Sequence, residues 1–166
     1  MKQSFIIHTD GGSRGNPGPA AIGVVISAEA DSERGRTSKN LRGSTSGIES
    51  SGQKWEYGEF IGVTTNNVAE YQAVIFAFKK LKQLAGSADA EKSEIVFYLD
   101  SELLVKQLNH QYKVKDENMQ KLFMEVHNLR LDFGKVEFKH VLRGKNTDAD
   151  RMVNQVLDRE ANKLDL

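Results

Sequence analysis

Four acidic residues stand where the pattern of this chain breaks. Asp10 ends an apolar run, FIIHTD, and is followed by a turn of glycines, Asn16, Pro17 and Pro19 before a second apolar run begins. Glycine permits positive φ and close backbone approach and proline presets the turn, so the order reads as strand, acid, tight loop, strand. Asp100 closes a second apolar run, 95–99, while Glu70 and Asp150 stand near the starts of helical patterns. Singly, each has an ordinary explanation. Asn67-Val68-Ala69-Glu70 and Thr147-Asp148-Ala149-Asp150 match the capping-box spacing, and Asp100 before Ser101 could be an N-cap, a role worth about 1 kcal/mol. Capping does not require the four to converge, however, and two strand ends plus two helix starts can share one crevice. Four clustered carboxylates repel one another unless cations neutralise them. Mg²⁺ takes oxygen ligands together with substrate phosphate, and a pair of such ions suits phosphodiester hydrolysis.

The elements that must position these acids follow from periodicity. Residues 27–53 are rich in Ser, Gly and charge and read as a long mobile connection between two strands. In the next strand Trp55, Tyr57, Ile61 and Val63 fall on one face. From Asn67 the period changes, with Val74, Ala77, Phe78, Leu81 and Leu84 or Ala85 spaced as on an amphipathic helix. The continuous run 95–99 suits a strand covered on both faces. A short helix over 101–109 and another from about Glu117, carrying Leu122, Val126, Leu129 and Phe133, lead to a strand with Val136, Phe138 and His140 on one face. The last helix carries Ala149, Met152, Val153, Val156, Leu157 and Leu164. Three leading strands can be antiparallel, and each later helical crossover returns the chain parallel to an earlier strand. The expectation is an α/β domain: a mixed five-stranded sheet, its first three strands antiparallel and its last two parallel to the first, flanked by helices. Ligands bind such sheets at the strand ends where the order switches.

Composition narrows the chemistry. The 166 residues, 39% hydrophobic, fit one globular domain over 1–166. With no cysteine, disulfides and thiolate metal sites are excluded, and any metal is held by oxygen or imidazole. No apolar run is long enough to cross a bilayer, and the N-terminus enters the first strand without a secretory apolar segment, so the expectation is a cytoplasmic protein with no membrane partner. Net charge is zero, yet across 102–145 nine Lys or Arg stand against six Asp or Glu. The overall balance therefore neither favours nor excludes a polyanionic partner.

The segments Thr9-Asp10-Gly11-Gly12 with Gly15-Asn16-Pro17-Gly18-Pro19, Thr65-Asn66-Asn67-Val68-Ala69-Glu70, Leu99-Asp100-Ser101-Glu102 and Ala149-Asp150 resemble the successive motifs of type 1 ribonuclease H, in family order, over about residues 4–161. The resemblance implies a ribonuclease H-like fold and cleavage of the RNA strand of RNA/DNA hybrids to 5'-phosphate and 3'-hydroxyl ends. It implies two Mg²⁺ or Mn²⁺ ions, with Asp10 bridging both, Glu70 and Asp100 on one, and Asp150 on the other. It also places Gly11, Gly12, Asn16 and Asn66 against the hybrid near its 2'-hydroxyls, Glu70 beside the ribose at the cut, and Thr65 on a phosphate of the DNA strand.

Two departures from the family pattern stand out. The loop 141–148, VLRGKNTD, lacks the histidine many members carry before the last acid, leaving Arg143 or Lys145 to stand in. Only 110–116 occupies the place of the basic protrusion that grips the hybrid in some members, with Lys106, Lys113 and Lys115 for modest phosphate contacts and a salt-sensitive grip. His8 and His140 read as ordinary sheet histidines. The expectation is a monomeric, metal-dependent endoribonuclease acting on RNA/DNA hybrids. Alternatives are one that also cleaves double-stranded RNA and a non-catalytic hybrid-binding module, though the latter would ordinarily have lost an acid.

Overall fold

A computed structural model describes residues 2–29 and 52–164. Strands β1 (Ser4–Ser13), β2 (Gly18–Ala28) and β3 (Lys54–Thr64) precede helices α1 (Asn66–Ala85) and α2 (Ser87–Ala90). Strand β4 (Glu94–Leu99), helices α3 (Glu102–Leu108) and α4 (Glu117–Arg130), strand β5 (Lys135–His140) and helix α5 (Thr147–Leu164) complete the chain. The sheet order is β3-β2-β1-β4-β5, with β1 antiparallel to β2, β2 antiparallel to β3, and both β1–β4 and β4–β5 parallel. The expected sheet is therefore the one observed. Most of the connection read as mobile, residues 30–51, lies outside the described residues.

Alternation along β1 sorts its side chains between two faces. Phe5 and Ile7 face α1 and join Tyr71, Val74, Phe78 and Leu81 in the larger core, where Phe78 contacts the rings of Phe97, Phe133 and Phe138. Helix α4 covers α1 in turn. On the other face α5 lies over β2, β3 and β1, burying Val153, Val156 and Leu157 against Ala21. Strand β2, covered on both faces, is accordingly apolar almost throughout.

Strand β4 is not covered on both faces as expected: Val96 and Tyr98 are only half-buried, because α5 lies over β1, β2 and β3. Two residues also depart from the expected pattern. Val63 is 72% exposed instead of facing inward with Trp55, Tyr57 and Ile61. A β-bulge opposite Ala20 and Ala21 inserts one extra residue into β3, so the alternation changes parity beyond it. Leu164 is exposed because it lies at the end of α5, beyond the last contacts with the sheet. Among the described residues no helix is long and apolar enough to cross a membrane.

The helices approach β1 and β2 most closely at two glycines. A Cβ on Gly11 would lie 2.3 Å from the Ala69 carbonyl carbon in α1, and one on Gly23 would lie 2.2 Å from the Ala149 oxygen in α5. Gly23 is the cross-strand partner of Asp10. Both clashes are with backbone, which a rotamer change does not relieve. Gly11→Ala and Gly23→Ala should each cost about 1–3 kcal/mol, whereas Gly144→Ala, with nothing within 4 Å of the added methyl, should stay within about 0.5 kcal/mol. Thermal denaturation of the three variants checks this; equal effects at all three would contradict the contact.

Candidate active site

Asp10 lies in β1 one residue past its last parallel pairing with β4, and Asp100 follows the end of β4. The side chain of Asp10 is on the α5 side of the sheet, since Gly11 next to it contacts α1. Glu70 and Asp150 arrive from α1 and α5, the helices seated on Gly11 and Gly23. All four acids line one crevice of about 530 Å³, together with Gly11, Gly12, Asn66 and Arg143.

The ordinary explanation of the acids as caps is not what the structure shows for Glu70 and Asp100. Helix α1 is capped by Thr65, whose Oγ1 accepts the Val68 N–H at 3.3 Å, so Glu70 lies beyond the capping-box position. Helix α3 is capped by Ser101, whose hydroxyl accepts the Leu104 N–H at 3.2 Å, leaving Asp100 before the cap. Asp150 is in the first turn of α5, preceded by Asn146, whose carbonyl accepts the Asp150 N–H. The position suits a carboxylate electrostatically.

The convergence has an electrostatic signature. Burial, followed by the charges of Asp100, Asp150 and Glu70, raises the Asp10 pKa to about 8. Burial and Asp100 likewise raise Glu70 to about 7, against a hydrogen bond with Ser101 that favours its charged form. Arg143 Nη2 approaches Asp150 Oδ1 at 3.5 Å from an exposed 3-10 turn (Arg143–Lys145), so Arg143 is beside the crevice where the loop lacks a histidine. The donor set is all oxygen and mutually repelling, which suits a hard divalent cation. Among the described residues no three His, Asp or Glu are already gathered in metal-holding geometry, so the acids face a common space without forming a closed cage.

Other residues singled out from the sequence brace the site. Asn16 Oδ1 accepts the Asn66 N–H at 3.1 Å, and Asn66 Oδ1 accepts from Ser13 N–H and Oγ–H at 2.8 and 3.1 Å. These bonds tie the β1–β2 turn to the start of α1. The Thr65 hydroxyl is occupied as the α1 cap, and neither Thr65 nor Asn16 is among the residues that line the crevice. His8 is half-buried and stacks on Tyr98 at 5.1 Å. His140 is exposed, its Nε2 3.2 Å from the Asp100 carbonyl oxygen. Ser13, Arg14, Asn67, Ser101 and Asn154 also line the crevice and were not singled out as site residues. Ser101 directly follows Asp100 and Asn154 falls one helical turn after Asp150, so proximity to the acids was the available signal.

A family model described as reverse transcriptase-like matches residues 8–156. The bifunctional protein Rv2228c of Mycobacterium tuberculosis is 35% identical over 159 residues, which are 94% of this chain and 36% of that protein. Ribonuclease HI of Halobacterium salinarum is 34% identical over 150 residues, 90% of this chain and 62% of that one. The chain thus spans about a third to three fifths of the length of these curated relatives. Among solved structures, LC11-RNase H1 in complex with an RNA/DNA hybrid is 35% identical, with a TM-score of 0.75 covering 95% of this chain and 99% of that one. The N-terminal RNase H domain of rv2228c is 31% identical at a TM-score of 0.75, covering 97% and 98%.

The raised carboxylates make stability depend on pH in a definite direction. A group whose pKa is higher folded than unfolded contributes stability that is complete below its unfolded value, about 4, and is lost as pH rises through its folded value. For Glu70 and Asp10 that loss runs through about 7 and about 8. In chelator at pH 8.5, Asp10→Asn should melt several degrees above the wild type, at ~2–4 °C per kcal/mol of repulsion removed. At pH 4 the difference should vanish. Calorimetry at both pH values checks this, and a difference independent of pH would contradict it.

Proposed function

Because this chain belongs to the reverse transcriptase-like family, in its type 1 ribonuclease H branch, we propose that it is an endoribonuclease hydrolysing the RNA strand of RNA/DNA hybrids, within one catalytic domain acting as a monomer. The products are 5'-phosphate and 3'-hydroxyl ends. The observation that carries this reading is the position of Asp10, half-buried in the central strand one residue past its last pairing with β4, with Asp100, Asp150 and Glu70 each raising its pKa. Acids from a strand, two helices and a strand–helix junction have no structural need to meet there, and meeting costs stability.

Asp10, Glu70, Asp100 and Asp150 would hold two Mg²⁺ or Mn²⁺ ions. When bound, such ions supply activation of the attacking water and stabilisation of the leaving oxygen. The chain's own residues do the rest. Gly11 and Gly12 present their backbone on the crevice wall, where the sugar edge of the RNA strand would meet it. The 2'-hydroxyls distinguish RNA from DNA there, with Asn66 oriented by its bonds to Ser13. Asn16 and Thr65 support this surface from behind, through the Asn66 N–H and the start of α1. Arg143, 82% exposed at the rim, has the charge and the freedom to meet a phosphate.

Labelled RNA/DNA hybrid, double-stranded RNA and double-stranded DNA incubated with Mg²⁺, with Mn²⁺ and with chelator test this reading. The RNA strand of the hybrid should be nicked with either metal, double-stranded DNA should remain intact, and chelator or Asp10→Asn should reduce cleavage to background. Cleavage that survives chelator or Asp10→Asn would refute the two-ion reading. Hybrid binding without turnover in either metal would instead identify a binding module, and the double-stranded RNA arm decides whether the substrate range is wider.

A further inference from the structure

Asn146 is 1% exposed at the junction between the Arg143–Lys145 turn and α5. Its Nδ2 donates to the Thr9 carbonyl at 2.9 Å, across 137 residues of sequence. Thr9 is the last residue of β1 paired in parallel with β4, and the next residue is Asp10. On the other side, the Asn146 carbonyl accepts the Asp150 N–H at 3.1 Å. One residue therefore connects the backbone beside Asp10 to the helical turn that carries Asp150.

The connection is kept at a cost. Among the described residues neither Asn146 Oδ1 nor Thr9 Oγ1 has a hydrogen-bond partner, and burying such a group is unfavourable. If Asn146 only filled space, an apolar side chain would avoid that cost. What an apolar residue lacks is the donor to Thr9. The crevice also opposes its own assembly, since the like-charged carboxylates of Asp10 and Asp150 line it together. Two carboxylates that repel need a tie between their backbones, and apart from the glycine contact under Ala149 the Asn146 amide supplies it.

We propose that Asn146 is a positioning residue, holding Asp150 at the distance from Asp10 that lets the two share a divalent cation. The proposal rests on the metal-dependent reading above. It concerns the backbone around the acids and adds no group that touches substrate.

The test compares wild type with Asn146→Ala, Asn146→Ser and Val136→Ala. Serine preserves a good residue at a helix start but is too short to repeat the amide bond to Thr9, so it isolates the tie from the start of α5. Val136, a buried residue of β5 that does not line the crevice, controls for lost stability alone. Titration of Mn²⁺ by calorimetry without nucleic acid should show weakening of about tenfold or more in both Asn146 variants, and in Val136→Ala no change, at matched losses of melting temperature. In hybrid cleavage the Asn146 variants should lose kcat with KM nearly unchanged and recover partly at high metal. Wild-type binding of Mn²⁺ by Asn146→Ser, or equal weakening in Val136→Ala, would overturn the positioning role alone. Failure of the wild type itself to bind Mn²⁺ would overturn the two-ion reading and this role with it.

Discussion

The site depends on backbone reaching backbone where two positions carry no side chain. Helix α1 meets β1 at Gly11 and α5 meets β2 at Gly23, on opposite faces of the sheet and on either side of Asp10. Ordinary helix-on-sheet packing is set by side chains, which keep the helix backbone well away from the strands. Here two local contacts remove that spacer. Glu70, directly after Ala69, and Asp150, directly after Ala149, are thereby brought to the strand end. The glycines and the acids are one arrangement, because moving either helix outward by the width of a methyl group would separate the carboxylates it carries.

Such proximity is electrostatically unfavourable, and the surroundings of the crevice show how the fold sustains it. Side-chain ties connect the elements around the crevice: the Tyr71 hydroxyl donates to Gln107 Oε1 at 2.7 Å in a buried bond joining α1 to α3, and Asn109 Nδ2 donates to the Phe138 carbonyl in a part-buried one joining the end of α3 to β5. The turn after Asp10 is bonded to the start of α1 through Asn16, Asn66 and Ser13. Lys54–Asp148 and Arg151–Glu56 make ion pairs between β3 and α5, but these are at the surface and worth at most about 1 kcal/mol each. The buried Tyr71–Gln107 and Asn146–Thr9 bonds are the stronger restraint, since water competes for them least.

Sequence patterning was sufficient for the architecture because the helices and β3 have a clear apolar period and β4 a continuous apolar run. Helix α1 keeps Val74, Ala77, Phe78 and Leu81 inward, and β4 alternates beneath it. It misplaced Val63 because one inserted residue inverts a strand's parity and leaves no mark in composition beyond Gly62 at positive φ. The four acids are legible in the sequence, and the structure removes the cap alternative at Glu70: the capping-box spacing is present, yet Thr65 starts the helix earlier. Asn146 was passed over as one polar residue in a polar loop. Its importance comes from a bond to Thr9 that no local pattern encodes, and the same holds for Gly23, whose contact with Ala149 exists only after the chain has folded.

On the proposed reading, the electrostatics of the crevice also bear on how the substrate is held. A net-neutral chain whose crevice gathers four carboxylates repels a polyanion at the point of reaction. The cations available elsewhere are partly committed. Lys106 is paired with Glu102 at 2.7 Å and lies 4.9 Å from the Tyr112 ring centroid, and Arg143 faces Asp150. Divalent ions at the acids would neutralise the four carboxylates and release Arg143 toward phosphate. Metal and hybrid would then favour each other's binding, and by linkage the coupling must be equal in both directions. In this chain, discrimination between a productive and an idle complex would arise from the acids themselves, because the same carboxylates that place the cations exclude the nucleic acid without them.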